Sequence, residues 1–259
     1  MISVTSGQLD AWLAALMFPL ARLLGLVSAA PLFSNRIVPM RVRLAIGLAI
    51  AMAVLPALPA MPQVPDNSML LMAILVQQMF IGIAMGFMMR LVFAAVDVAG
   101  ELIGLQMGLS FAVFFSPQTG GQTAVITEFL GLVALLVFVA LNGHLMLLEA
   151  LVASFEWLPV GAMPDADGWL LIVRYAAVMF ASGLMMALPM VAALLITNIA
   201  LGVLTRAAPQ LNLFAVGFPV TLSVGFLVLL LSLNLLAPVL QSLFERGFDA
   251  IGQLFRAFV

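Results

Sequence analysis

Three ionisable residues, Arg90, Asp97 and Glu101, stand seven and four positions apart, which places them on one face if the backbone between them is helical. Paired carboxylates at that spacing suit proton relay or general acid-base work. At membrane depth, however, ionisable groups are costly and turn toward partners or water. Two carboxylates one turn apart also need a cation from elsewhere, so the favoured reading is an interhelical or intersubunit salt bridge holding an assembly together. Arg22, alone in an apolar run beside Pro19, is read the same way and should pair with a carboxylate or with backbone carbonyls. Arg206 is a further candidate for a buried or intersubunit charge.

The remaining chemistry is thin. His144, in the triplet Asn142-Gly143-His144, is the single histidine, so a histidine-rich metal site within one chain is excluded. A Ser182 and His144 dyad is conceivable because Ser182 and Gly183 form a small patch. Residue 180 is Phe rather than Gly, and the histidine precedes the serine, so hydrogen bonding of His144 and Asn142 between helices is the stronger reading. No phosphate-binding loop, zinc-protease helix or dinucleotide-binding glycine pattern occurs. Cysteine is absent, which removes disulfides and thiol chemistry. The chain reads as non-catalytic, without cofactor or metal.

What must position these residues is membrane-like. Of 259 residues, 65% are hydrophobic and 8% charged, with a mean hydropathy of +1.28, against about 25% charged in soluble domains. The net charge is -2 and no basic stripe suits nucleic acid. The N-terminus lacks the basic region of a signal peptide and carries Asp10, so its apolar run is expected to be retained. An all-α chain with six apolar spans is predicted, over about Ala11 to Phe33, Leu44 to Leu58, Met69 to Val96, Phe129 to Leu148, Tyr175 to Leu204 and Leu213 to Leu236. Arg36, Arg41 and Arg43 between the first two spans mark the cytoplasmic side and put the N-terminus outside. Pro56, Pro59, Pro62 and Pro65 recur every third residue, as in a stiff exterior connector of polyproline II type.

One segment resists either assignment. Ala99 to Gln122 is too apolar for a solvated loop and too broken for a spanning helix. Gly100, Gly104 and Gly108 have the four-residue spacing that lets helix backbones approach closely. Phe111, Phe114 and Phe115 follow, and Pro117, Gly120 and Gly121 then end any helix. Irregular backbone at membrane depth must be buried in protein or line a cavity. The segment is therefore packed deep in an assembly or obstructs a pore. Eighteen methionines, including Met69, Met72, Met79, Met85, Met88 and Met89, read mostly as apolar packing, and Met107 is singled out because it lies inside the broken segment.

The last two spans form a separable hairpin, with Arg206, Pro209 and Asn212 at its tip and further breaks expected at Pro219 and Pro238. The tail from Leu243 carries Phe244, Phe248, Ile251, Leu254, Phe255 and Phe258 near helical spacing, an amphipathic pattern suited to a membrane surface or a partner helix.

The stretches FPLARLLGLVSAAPLFSNRIVPMRVRLA, AGELIGLQMGLSFA, LNGH and APQLNLFAVGFP together resemble the FliR family, the largest of three small membrane subunits of the bacterial flagellar type III export gate. The related injectisome subunit is the runner-up. It usually shows an Asp and an Arg-Gly pair where this chain reads IGLQMG, which favours the flagellar branch. The resemblance implies a single copy wound with FliP and FliQ subunits around a closed protein-conducting pore in the inner membrane, part of it raised toward the periplasm. FlhB, FlhA, unfolded flagellar export substrates and lipid are the other implied partners. It also implies a FliP-like part over residues 1–172 fused to a FliQ-like hairpin over 173–259, and a plug within the channel at about 104–122. That role is carried onto Gln106, Met107, Phe111, Phe114, Phe115 and Pro117. A solitary small-solute transporter is a weaker alternative, since it would show inverted repeats and polar residues converging at mid-membrane. An intramembrane hydrolase ranks last.

Overall fold

Leucine, alanine, methionine and phenylalanine dominate every stretch between charges. In an apolar solvent such stretches satisfy their backbone polar groups by coiling into helices. The computed structural model describes residues 6–31, 39–65, 67–109, 125–208 and 216–259. Among these residues there are seven α-helices and no strand, the all-α class expected from the sequence. They are α1 (Ser6–Ala29), α2 (Met40–Val54, followed by a 3-10 turn at Leu55–Ala57), α3 (Ser68–Gln106), α4 (Val125–Ala140), α5 (Gly143–Trp157), α6 (Ala166–Ala207) and α7 (Phe218–Phe258).

Helix boundaries follow local chemistry. Asn67 caps α3, its Oδ1 accepting from the Met69 amide at 2.9 Å, and Asp165 Oδ1 accepts from the Ala166 amide at the start of α6. Asn142 separates α4 from α5 with φ of 58°, the left-handed conformation that asparagine tolerates better than most residues. Its carbonyl then accepts from the amides of Leu145 and Met146. The LNGH motif thus contains a helix break set by its own backbone. Pro238 lies inside α7 without ending it, and Pro219 occupies the second position of that helix, where its missing donor costs nothing.

Four helices, α1, α3, α6 and α7, are long and apolar enough to cross a membrane; a fifth span arises only if α4 and α5 count together. Six spans were expected. The second is the 15-residue α2, which at 1.5 Å per residue reaches only about 22 Å of the roughly 30 Å needed. The fourth is divided at Asn142. By the same arithmetic α3, α6 and α7, with 39, 42 and 41 residues, each run about 60 Å, twice the hydrocarbon thickness.

The chain folds as two compact units. Unit 1 comprises Met1–Leu91, Asn142–Ala176 and Phe244–Val259, and unit 2 comprises Val92–Leu141 and Ala177–Leu243. In unit 1, Phe18, Leu23 and Leu26 of α1, Ile81, Met85 and Met88 of α3, and Leu147 and Leu151 of α5 are buried. Met85, Met88 and Met89 are enclosed, whereas Met69, Met72 and Met79 nearer the start of α3 are exposed.

The amphipathic tail belongs to this core. Phe258 packs edge-on to Trp169 with centroids 5.1 Å apart, Phe255 lies 5.5 Å from Trp157, and the Asp165 amide donates to the Phe258 carbonyl at 3.0 Å. The end of its apolar face, expected to meet a membrane or partner helix, is covered at Phe255 and Phe258 by α5 and the start of α6 of the same chain. In unit 2, α3 contributes Val92, Val96, Ala99 and Ile103, α4 contributes Ile126, Leu130, Ala134 and Phe138, and Phe93 meets Phe138 edge-on at 5.6 Å.

Candidate functional site

The buried arginine of unit 1 is assembled by close helix contact. A Cβ on Gly82 of α3 would overlap the Arg22 carbonyl of α1, and one on Gly25 of α1 would overlap the Met79 carbonyl of α3. Gly86, one turn beyond Gly82, lies under α1, where a Cβ would stand 2.7 Å from the Leu26 carbonyl and 2.8 Å from the Ala30 amide. Three glycines therefore let two backbones touch, an approach every larger residue forbids. Spacing drew attention to the later glycines on α3. The signal for these was the Gly82-xxx-Gly86 pair, with Gly25 as its counterpart across the crossing.

This crossing carries Arg22 into the interior, where it is fully buried. Its Nε donates to Gln78 Oε1 at 2.9 Å, and one Nη donates to the same oxygen. That nitrogen also donates to the Leu158 carbonyl at 2.9 Å. The other Nη donates to the Ser154 carbonyl at 2.8 Å and to Ser154 Oγ at 2.9 Å. All five guanidinium protons are thus used. The Phe155 ring lies 3.9 Å from the guanidinium carbon. No carboxylate is among these partners: two carbonyls, an amide oxygen, a hydroxyl and an aromatic face solvate the cation. Next to Gln78, Gln77 Nε2 donates to the Ala162 carbonyl at 2.7 Å, so consecutive glutamines of α3 hold α1, through Arg22, and the loop after α5. Neither glutamine stood out in the sequence, because a glutamine acquires this role only when a distant donor is brought to it.

Unit 2 is organised around the last turns of α3. Gly100 faces α4, where a Cβ would stand 2.5 Å from Thr127 Cα. On α6, a Cβ on Gly183 would overlap the Ala95 carbonyl and stand 3.1 Å from Val98 Cβ. The small patch at Ser182 and Gly183 therefore includes a helix contact, while Ser182 Oγ donates to the Val178 carbonyl at 2.9 Å as serines in helices do. On α7, a Cβ on Gly225 would stand 2.7 Å from Met107 Cγ and Cε.

Gly104 is buried on α3, and Gly108 lies past its end with φ of 81°. The Leu109 amide donates to the Gly104 carbonyl, and the Gly108 amide to the Leu105 carbonyl, each at 3.0 Å. That pair of bonds around a left-handed glycine is a Schellman cap. Within one four-residue series, then, Gly100 makes an interhelical contact and Gly108 terminates the helix.

Of the residues assigned to a plug, Gln106 is half-buried at the end of α3 and Met107 is fully buried against α7. Phe111, Phe114, Phe115 and Pro117 lie outside the described residues, as do Arg36, Pro209 and Asn212. Arg90, Asp97 and Glu101 are exposed on α3, and Arg206 is exposed in the last turn of α6. His144 Nδ1 is buried and has no hydrogen-bond partner among the described residues. No cluster of metal-binding side chains occurs among the described residues.

These features define a helical membrane protein in which Arg22, Gln77 and Gln78 join elements of unit 1. Residues 13–247 match the family described as bacterial export proteins, family 1. Over 255 residues the chain is 44% identical to the flagellar biosynthetic protein FliR of Escherichia coli strain K12, covering 98% of this chain and 97% of that one. It is 41% identical to the protein of the same name from Pectobacterium carotovorum, with the same coverage, and 31% identical to that of Bacillus subtilis strain 168, covering 86% and 88%. The chain belongs to the FliR family of bacterial export proteins, the family its motifs resemble.

Proposed function

We propose that this chain is a non-catalytic subunit of the flagellar type III protein export gate in the bacterial inner membrane. It joins FliP and FliQ subunits around a closed pore through which unfolded flagellar proteins pass, with FlhB and FlhA as neighbours in the export apparatus. The observation that carries this reading is the length and exposure of α6 and α7. Each is about 60 Å long, twice what lipid can cover. Only 22% of the most apolar stretch of each is buried within the chain, against 56% in α3. Apolar helix surface extending beyond a bilayer needs other protein, which supports an assembly that stands partly above the membrane. Exposed Arg90, Asp97, Glu101 and Arg206 are intersubunit contacts in this reading.

In the same reading residues 1–172 are the FliP-like part and 173–259 the FliQ-like part, and Gln106 to Gln122 fills the channel as a plug. Deleting Gln106 to Gln122 from the assembled gate should raise ion leakage, and unchanged conductance would sink the plug. Copurification with FliP and FliQ tests the assembly. A stable monomer that moves a small solute into liposomes would overturn it in favour of a solitary transporter.

A further inference from the structure

We propose that the cleft between the start of α6 and the end of α7 holds the headgroup of an aminophospholipid, with its ammonium on Asp167 and its phosphate on Arg174. Asp167, Leu170, Leu171, Arg174 and Ala257 line this cleft of about 280 Å³, and all five belong to unit 1. Pockets for drug-sized ligands run about 300–1,000 Å³. The cleft therefore suits a headgroup and not a whole lipid.

Its two charges are exposed, opposite in sign and seven residues apart on one helix, about 10 Å along the axis. Among the described residues neither has an ion-pair partner. They border one cleft without neutralising each other, so the ligand that fits them carries a cation and an anion of its own. Arg174 offers a planar fork of donors to phosphate oxygens, and the Asp167 carboxylate only accepts. An ammonium bearing N–H groups meets that second demand. Phosphatidylethanolamine has both groups, whereas the trimethylammonium of phosphatidylcholine has no N–H and the glycerol of phosphatidylglycerol has no positive charge.

The surroundings favour a lipid over a free zwitterion. Leu170 is 47% and Val173 68% exposed, and after Arg174 no charge occurs before Arg206, so apolar surface begins where the headgroup ends. On the side of Ala257, the Phe255 and Phe258 rings lie 6.1 Å apart and pack against Trp157 and Trp169, both of which remain partly exposed. Two of the three tryptophans in the chain thus flank the cleft. Tryptophans with one edge buried and one wet mark the depth at which headgroups meet acyl chains.

The test reconstitutes the chain with FliP and FliQ in nanodiscs of equal phosphatidylethanolamine, phosphatidylcholine and phosphatidylglycerol, transfers the complex to detergent and weighs the retained lipid by native mass spectrometry. Wild type should retain phosphatidylethanolamine several-fold over the other two. Arg174→Gln should lower that retention several-fold, and Arg174→Lys, which keeps the cation, should largely restore it. Asp167→Asn should still retain lipid but raise phosphatidylglycerol several-fold relative to phosphatidylethanolamine, a change of selectivity that loss of fold does not produce.

Unchanged retention in Arg174→Gln together with unchanged selectivity in Asp167→Asn would overturn the site. Free phosphoethanolamine separates the two sources of this chemistry: lipid that persists at millimolar competitor supports the proposal, and displacement overturns it in favour of a soluble zwitterion. The inference does not rest on the gate. If the chain fails to copurify with FliP and FliQ, the same measurement on the chain alone decides the site.

Discussion

Arg22 and Gln78 meet in the interior of unit 1, with Arg22 Nε donating to Gln78 Oε1 at 2.9 Å and an Nη of the same guanidinium donating to the same oxygen. The pair joins α1 to α3, and the remaining protons of Arg22 extend the join to α5. A buried cation held by neutral acceptors has no carboxylate to screen it, so each acceptor matters.

Arg22→Lys keeps the charge but offers three donors in place of a planar fork of five, leaving buried acceptors unmet. It should destabilise the protein by about 2–4 kcal/mol, at about 1–3 kcal/mol for each unsatisfied group. Gln78→Leu should cost a similar amount, since it strands two guanidinium protons. Gln78→Glu, which preserves the acceptors, should be better tolerated than Gln78→Leu. Thermal unfolding of the gate purified in detergent reads all three.

Gly82 and Gly252 form a contrast within unit 1. Gly82→Ala puts a methyl group into the Arg22 backbone and should prevent α1 from seating, at a cost of at least about 1–3 kcal/mol from overpacking. Nothing lies within 4 Å of a Cβ on Gly252 in α7, so Gly252→Ala should be neutral or stabilising by up to about 1 kcal/mol through helix propensity. Steady-state protein level and melting temperature should separate the two. Equal loss in both would show that the α1 and α3 crossing is not limiting.

Asn142 holds a left-handed backbone between α4 and α5. Asn142→Gly should unfold near the wild-type temperature. Asn142→Val, with a branched Cβ at positive φ, should lose about 1–2 kcal/mol. A valine variant as stable as wild type would mean that the break does not need this conformation.

Phe258 is the last helical residue and is buried against Gly168, Trp169 and Phe255. Phe258→Ala should cost about 3–5 kcal/mol, the usual penalty for emptying an aromatic site in a core. The measured quantity is melting temperature, with tryptophan fluorescence reporting whether Trp169 gains water. A surface tail would show neither change.

By itself the sequence determined the solvent, the helical class and the family. Composition and the length of apolar runs are local sums, and the motifs around Arg22, Gly104, Asn142 and Pro209 are contiguous strings. It also marked Arg22 as a charge in need of partners. Only the tertiary structure decided what those partners are and which glycines matter at a contact. Gly25, Gly82, Gly86, Gly183 and Gly225 are significant for what comes within 4 Å of an absent Cβ, and that depends on residues far away in sequence. Spacing alone treated Gly100 and Gly108 as equals, whereas one faces a neighbouring helix and the other turns the chain out of its own. The tail pattern likewise fixed an apolar face from Leu243 to Phe258 but not what covers it. Periodicity shows which side of a helix must be hidden, and only packing selects the surface that hides it.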